Sequence, residues 1–164
     1  MMNKIVILGG AESGVGAAVL AKKQGFDVFV SDMGLIKEKY KNLLNEHDIE
    51  WEEGKHTEEK ILDAKEIIKS PGIPDTAPVV AKAIEKGIGI INELEFASRY
   101  TDAKLICITG SNGKTTTTTL IYEFLKEHKA DVLLGGNIGY PVCSLVEKAK
   151  AGTILVLEIS GHQM

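Results

Sequence analysis

Leu105-Ile106-Cys107-Ile108-Thr109-Gly110-Ser111-Asn112-Gly113-Lys114-Thr115-Thr116 is the stretch on which the reading of this chain turns. An apolar run breaks into a glycine-flanked turn and resumes as a helix opening Gly-Lys-Thr, which is the build of a phosphate cradle. Gly110 and Gly113 let the backbone curl until successive N–H groups point inward at phosphate oxygens, and the helix adds its positive dipole end. Lys114 supplies a flexible point charge for the β- and γ-phosphates, and the Thr115 hydroxyl is of the kind that ligates Mg²⁺. The spacing is the shorter GxxGKT form, since Ile108 stands where the longer GxxxxGK[ST] pattern needs glycine. A plain glycine turn would leave Lys114 and Thr115 unexplained. The expectation is an ATP site made by Gly110, Ser111, Asn112, Gly113, Lys114, Thr115 and Thr116.

Downstream, the pattern predicts helix 114–127, a strand at Asp131–Leu134, helix 141–149 and a strand at Thr153–Glu158. Three strands and two helices cannot cover such a sheet on both faces, so residues 97–164 are expected to be the N-terminal part of a longer P-loop domain. Glu158 ends the last apolar strand, where a carboxylate beside phosphates suits a hard cation. It pairs with Thr115 as the predicted Mg²⁺ site. Gly135-Gly136-Asn137-Ile138-Gly139 falls at the carboxyl edge of the preceding strand, which places Asn137 to hydrogen-bond a substrate. His162 has no sequence partner. Of the five threonines at 115–119, the last three have no reason legible in the sequence.

Upstream, residues 1–96 alternate strand and helix. Strands are predicted at Lys4–Leu8, Asp27–Ser31, Ile49–Glu53, Glu66–Ser70 and Gly87–Ile91, with helices at Gly14–Gln24, Ile36–Glu46, Glu58–Asp63 and Ala77–Lys86. Continuous apolar runs such as Ile5-Val6-Ile7-Leu8 suit strands covered on both faces. Gly25 and Gly87 serve as helix stops. The fold class is therefore α/β: a Rossmann-type parallel sheet followed by an incomplete P-loop α/β domain. Leu8-Gly9-Gly10-Ala11-Glu12-Ser13-Gly14 sits where a dinucleotide fingerprint belongs, but Ala11 holds the second glycine position. Asp32 follows Gly9 by twenty-three residues, where an acidic side chain meets a ribose. A nucleotide is expected across this loop, with NAD one option; in the alternative the glycines only let the helix pack on the sheet.

The 164 residues are 44% hydrophobic and 5% aromatic, ordinary for an α/β core. A net charge of −4 gives no electrostatic support to nucleic-acid or acidic-membrane binding. Cys107 and Cys143 lack paired or metal-ligand spacing and read as reduced, buried thiols of a cytoplasmic protein. No apolar run reaches membrane-spanning length, and because the first strand starts at once no signal peptide is expected. His47, His56 and His128 read as inert surface side chains.

Taken together, these motifs resemble the Mur ligases of peptidoglycan synthesis. The resemblance runs in order through Gly9–Gly14, Asp32, Ser70-Pro71-Gly72-Ile73, Asn92-Glu93-Leu94-Glu95, Thr109–Thr116, Gly136-Asn137-Ile138-Gly139 and Glu158-Ile159-Ser160-Gly161-His162-Gln163-Met164. The TGSNGKT loop marks a superfamily that also holds the folylpolyglutamate synthases. The SPGI and GGNIG elements point to the branch that adds D-glutamate to UDP-N-acetylmuramoyl-L-alanine.

The resemblance implies an ATP-dependent amide ligase. A muramoyl carboxylate attacks the γ-phosphate to give an acyl phosphate, and the amine of D-glutamate displaces phosphate. It casts Lys114 as stabiliser of the migrating phosphoryl group and Thr115 and Glu158 as holders of Mg²⁺. Ser13, Gly14 and Asp32 would hold the uridine diphosphate end, and Asn137, Ser160 and Gln163 would approach the muramoyl-alanine portion. Two departures stand out. Gly161 and His162 replace the second serine and the phenylalanine of the family's Ser-Ser-Phe-Gln-Leu, and Met33-Gly34 replaces Thr-Arg-type phosphate contacts. The family's further metal-binding histidine, modified lysine, adenine-binding residues and amino-acid-binding domain would lie beyond Met164. The isolated chain is accordingly expected to show no turnover. Phosphate release that depends on both UDP-N-acetylmuramoyl-L-alanine and D-glutamate would overturn this.

Other readings are a Mur-type ligase for a different amino acid, a nicotinamide-dependent oxidoreductase, or a non-catalytic nucleotide-binding module. The oxidoreductase leaves the second glycine loop without a purpose. Oligomeric state is not legible.

Overall fold

The computed structural model describes residues 3–161. The chain divides into two compact units, Met1–Phe96 and Ala97–Met164.

The first unit runs β1 (Lys4–Leu8), α1 (Glu12–Lys23), β2 (Asp27–Asp32), α2 (Glu38–Glu46), β3 (Glu50–Glu53), α3 (Glu58–Ile61), β4 (Glu66–Lys69), α4 (Pro78–Glu85) and β5 (Gly89–Ile91). Its strands form one parallel sheet in the order β3-β2-β1-β4-β5. That is the Rossmann order, with its reversal point between β1 and β4. Central β1 carries Ile5, Val6, Ile7 and Leu8 into full burial. Such a strand has no solvent face, which is why its apolar run does not alternate. α1 packs through small residues, Ala17, Ala18 and Ala21, together with Val15 and Leu20. α5 (Glu93–Ser98) crosses the division between the units. Its start is set by Asn92, whose Oδ1 accepts the Glu95 N–H at 2.9 Å.

The second unit runs β6 (Lys104–Ile108), α6 (Lys114–Glu127), β7 (Val132–Gly136), α7 (Val142–Val146) and β8 (Ile154–Glu158). The three strands are parallel in the order β6-β8-β7. β8 is central, and Leu155 through Glu158 are buried. β6 is an edge strand whose side chains are only half-buried or exposed. This corrects the expectation for Cys107: the thiol is exposed, while Cys143 on α7 is buried as expected. Leu120 and Phe124 on α6 also stand exposed. Thr118, unexplained in the sequence, is buried and donates back to the Lys114 carbonyl at 2.8 Å. Among the described residues no helix is long and apolar enough to cross a membrane.

Four helices stop by the same device, a left-handed residue flanked by two reversed backbone bonds. Gly25 ends α1 (Gly25 N–H to Lys22 O, Phe26 N–H to Ala21 O), and Gly87 ends α4 in the same way. Asp48 and Lys129 do this for α2 and α6, at φ of 50° and 57°. A lysine there carries left-handed strain of about 1–2 kcal/mol that glycine lacks. Part of the relief is returned as glycine's greater unfolded-state entropy. Lys129→Gly is therefore expected to stabilise the second unit by about 0.5–1 kcal/mol in a thermal or urea melt. An unchanged or lowered midpoint would contradict the strain assigned to this position.

Candidate functional site

The glycine loop of the second unit closes over the carboxyl ends of β6 and β8. Gly110 and Gly113 take φ of +144° and +75°, and Gly113 is the residue before α6, so both need glycine's left-handed freedom. Lys114 Nζ donates to the Gly110 carbonyl at 2.6 Å, folding the lysine over its own loop. Thr115 Oγ1 donates to Glu158 Oε2 at 2.7 Å. The two side chains paired from sequence as a cation site are thus in direct contact. Glu158 is buried at the end of β8, in register with Ile108 on one side and Gly136 on the other.

The GGNIG turn is pinned to the same place. Asn137 donates its N–H to the Glu158 carbonyl at 2.8 Å. A Cβ at Gly136 would meet that carbonyl oxygen at 2.2 Å, and one at Gly139 would meet the Leu134 carbonyl oxygen at 2.7 Å. The glycines let the turn lie directly on the end of β8, which sets Asn137 beside Glu158. Ser111, Asn112, Thr115 and Thr116 are exposed, and Ser160 follows half-buried after β8. His162 and Gln163 lie outside the described residues.

In the first unit a cleft of about 680 Å³ opens at the carboxyl edge of the sheet, beside the reversal point. Its walls include Gly9 and Ala11, then Asp32 and Met33, then Lys55 and His56, then Ser70, Ile73 and Pro74. Gly9 has φ of +106°, and a Cβ there would strike Ser70 Oγ at 2.3 Å, so the first loop lies against the SPGI turn. Ala11, out of place in a dinucleotide fingerprint, has φ of −87° and needs no glycine. Gly14 is buried in α1, where a Cβ would meet the Gly9 carbonyl oxygen at 1.9 Å. Val15 N–H, bonded to Ala11 O, begins the α1 ladder. The Ser13 and Gly14 N–H groups precede it in the first turn and suit an anion. Asp32 binds the two loops together: Oδ2 accepts the Gly10 N–H at 2.6 Å and Oδ1 the Gly34 N–H at 2.7 Å.

The sequence reading of His56 as inert is corrected. Its Nδ1 lies 2.6 Å from Ser31 Oγ, and Ser31 is fully buried on β2. Ser31 Oγ also donates to Glu52 Oε1 at 2.7 Å. The Glu52 carboxylate further accepts the Thr57 N–H and hydroxyl, at 2.7 and 2.5 Å. Burial pushes the Glu52 pKa up, but these bonds and the nearby Lys55 charge outweigh it and leave Glu52 below its ordinary value. For His56 burial dominates and lowers the pKa, against the raising influence of Glu52 and Asp32. Ser70, Ile73 and Lys55 were also missed as cleft residues. Asking which polar residues follow each strand's carboxyl end would have found Lys55-His56 after β3 and Ser70 after β4.

Both shifts weaken the first unit in acid. A neutral folded His56 against an unfolded histidine of pKa near 6.5 lowers stability as pH falls below 6.5. Glu52 adds stability above its unfolded value of 4.5, lost as pH falls through its lower folded value. Urea unfolding of His56→Gln is expected to show a flatter pH dependence than the parent between pH 6.5 and 5. An unaltered slope would remove His56 from the account.

Among the described residues no group of three His, Cys, Asp or Glu side chains is placed to hold a metal ion. Thr115 and Glu158 form a smaller set, two hard oxygens beside a phosphate loop. This fits Mg²⁺, which takes one or two protein oxygens and completes its shell with phosphates and water.

Comparison with known proteins gives two family matches: the MurD N-terminal domain over residues 4–79 and the Mur ligase middle domain over 108–164. The chain is 58% identical over 163 residues to the UDP-N-acetylmuramoylalanine–D-glutamate ligase of Bacteroides fragilis, covering 99% of this chain and 36% of that protein. It is 53% identical to the enzyme of the same name from Christiangramia forsetii, covering all of this chain and 37% of that one. The chain therefore spans little more than a third of the curated relatives it matches. Among solved structures it resembles the UDP-N-acetylmuramate:L-alanyl-γ-D-glutamyl-meso-diaminopimelate ligase of Neisseria meningitides, at TM-score 0.62 and 18% identity, over 96% of this chain and 52% of that one. It also resembles a pseudomurein peptide ligase type C from Methanothermus fervidus, at TM-score 0.58 and 26% identity, over 96% and 33%.

Proposed function

This chain belongs to the Mur ligase family, and on that premise we propose that it is the nucleotide-holding part of an ATP-dependent ligase joining D-glutamate to UDP-N-acetylmuramoyl-L-alanine in the cytoplasm. Residues 1–96 are the UDP-sugar-binding domain, and 97–164 the first part of the ATP-binding domain. The observation that carries the ligase reading is the Thr115–Glu158 contact beneath the Lys114 loop. A phosphoryl transfer to a carboxylate needs alignment and charge neutralisation more than a strong nucleophile, and these groups supply both. The choice of D-glutamate rests on the 58% identity to a ligase of that name.

The Gly110–Thr116 loop cradles the ATP phosphates and Lys114 neutralises the transferring group. Thr115 and Glu158 hold Mg²⁺, which when bound offsets phosphate charge. In the first unit, the Ser13 and Gly14 N–H groups face the diphosphate and Asp32 faces the uridine. Asn137, Ser160 and Gln163 serve the muramoyl-alanine portion. Isothermal titration of the chain with UDP-N-acetylmuramoyl-L-alanine, with NAD alongside, tests the reading. The UDP-sugar is expected to bind and NAD not to. NAD binding alone would return the first unit to the dehydrogenases.

A further inference from the structure

We propose that His56 is a specificity-determining residue of the first unit's cleft, its Nε2 accepting a hydrogen bond from a donor on the nucleoside of the bound nucleotide. This rests on the reading of that cleft as a UDP-sugar site. The argument begins at buried Ser31, whose hydroxyl has one proton to give. Glu52 is an acceptor only, and it takes that proton at 2.7 Å; the Lys55 carbonyl, at 3.4 Å, is the poorer acceptor. The 2.6 Å contact between Ser31 Oγ and His56 Nδ1 must then be Nδ1–H donating to the serine oxygen. Thr57 holds Glu52 from two directions, so the acceptor that orders the chain is itself fixed. The network locks the imidazole as the Nδ1–H tautomer and leaves the lone pair on Nε2.

Nε2 takes no bond from any described residue, and His56 lines the cleft. Burial keeps the ring neutral at neutral pH, so it acts there as an acceptor and not as a cation for phosphate. On the same wall, Asp32 is an acceptor too. The wall at the ends of β2 and β3 thus offers lone pairs, while the start of α1 offers N–H groups. A ligand that fits both is anionic at one end and carries N–H or O–H donors at the other. A nucleoside diphosphate has that polarity, and uridine has three such donors: the imide N–H and two ribose hydroxyls. A ligand lacking the donor leaves a desolvated lone pair unpaired, which is how such a site rejects it.

Calorimetric titration of the parent chain, His56→Ala and His56→Gln with UDP, 2′-deoxy-UDP, 3′-deoxy-UDP and N3-methyl-UDP tests this. His56→Ala is expected to weaken UDP by about tenfold, one hydrogen bond's worth, with His56→Gln recovering part of it. One analogue should lose a similar factor on the parent and nothing further on His56→Ala, and its identity tells the imide from a hydroxyl. Equal UDP affinity in parent and His56→Ala, or the same analogue losses on both, would overturn the assignment while leaving the UDP-sugar reading intact. Imidazole ¹⁵N shifts provide a check that does not depend on a variant folding. The Nδ1–H tautomer is expected without ligand, with Nε2 moving on UDP saturation. The opposite tautomer, or an unmoved Nε2 with UDP bound, would refute it. A parent chain that binds none of the four removes this assignment together with the reading beneath it.

Discussion

Replacing Gly14 with alanine is expected to cost the first unit roughly 3 kcal/mol or more and to abolish UDP-sugar binding with it. The new methyl would sit 1.9 Å from the Gly9 carbonyl oxygen and 3.2 Å from Ile7 Cγ2. The first of these is backbone that cannot swing aside. Gly9 is held by its N–H to Ser31 O at 2.9 Å, by a left-handed φ, and by Ser70 on its other side. Moving it means moving the ends of β1, β2 and β4 together. Small-to-large changes in cores commonly cost about 1–3 kcal/mol where side chains can yield, and here none of the yielding is cheap. Since small domains have only about 5–15 kcal/mol in total, the loss is a large share of the unit's stability. Gly25→Ala is the control. Gly25 has φ of +83° but nothing within 4 Å, so alanine meets only left-handed strain of about 1–2 kcal/mol. Thermal or urea melts of the two variants decide the matter. If Gly14→Ala melts no lower than Gly25→Ala, the close packing of α1 on the first loop is not what requires glycine.

The same glycine shows why one part of the sequence could be read and another could not. Gly9 and Gly14 were legible as a nucleotide fingerprint because close approach of a helix to a loop leaves a glycine behind. Ala11 looked like a defect only because the pattern was read without its backbone angles; at φ of −87° no glycine is called for. The helix stops divide in the same way. Gly25 and Gly87 announced themselves, whereas Asp48 and Lys129 make the same left-handed turn with residues that carry no such signal. The burial of β1 and β8 followed from unbroken apolar runs, whereas the order β6-β8-β7 is set by pairing that no run of residues announces. The exposure of Cys107 did not follow, because β6 reads as apolar and its edge position is set by β8 entering between it and β7. In the second unit the nearness of Thr115 to Glu158 was legible, since one opens the helix after β6 and the other ends β8. His56 was not. Its partners, Ser31 and Glu52, are on two different strands, and strand pairing brings them to it, not any spacing in the chain.

Lys114→Ala is expected to weaken ATP binding by about 10- to 100-fold whether or not Mg²⁺ is present. A hydrogen bond to a charged group is worth about 1.5–3 kcal/mol, and the lysine's target is phosphate oxygen. Lys114 Nζ donates to the Gly110 carbonyl, so a bond to phosphate would replace one the lysine already makes. That exchange brings the measured loss toward the lower end of the range. Glu158→Gln should behave differently. The amide oxygen can still accept from Thr115 Oγ1, which preserves the contact between β8 and the start of α6. What disappears is the negative charge that a divalent cation requires and that free ATP, itself anionic, does not welcome. Titrations in Mg²⁺ and in chelator separate the two roles. Lys114→Ala should lower both affinities by a common factor. Glu158→Gln should leave the chelator value unchanged or slightly improved and bring the ratio of the two close to one. Retention of the parent's ratio by Glu158→Gln would place the cation elsewhere. A Lys114→Ala chain that binds ATP as tightly as the parent would mean that the loop's N–H groups alone hold the phosphates.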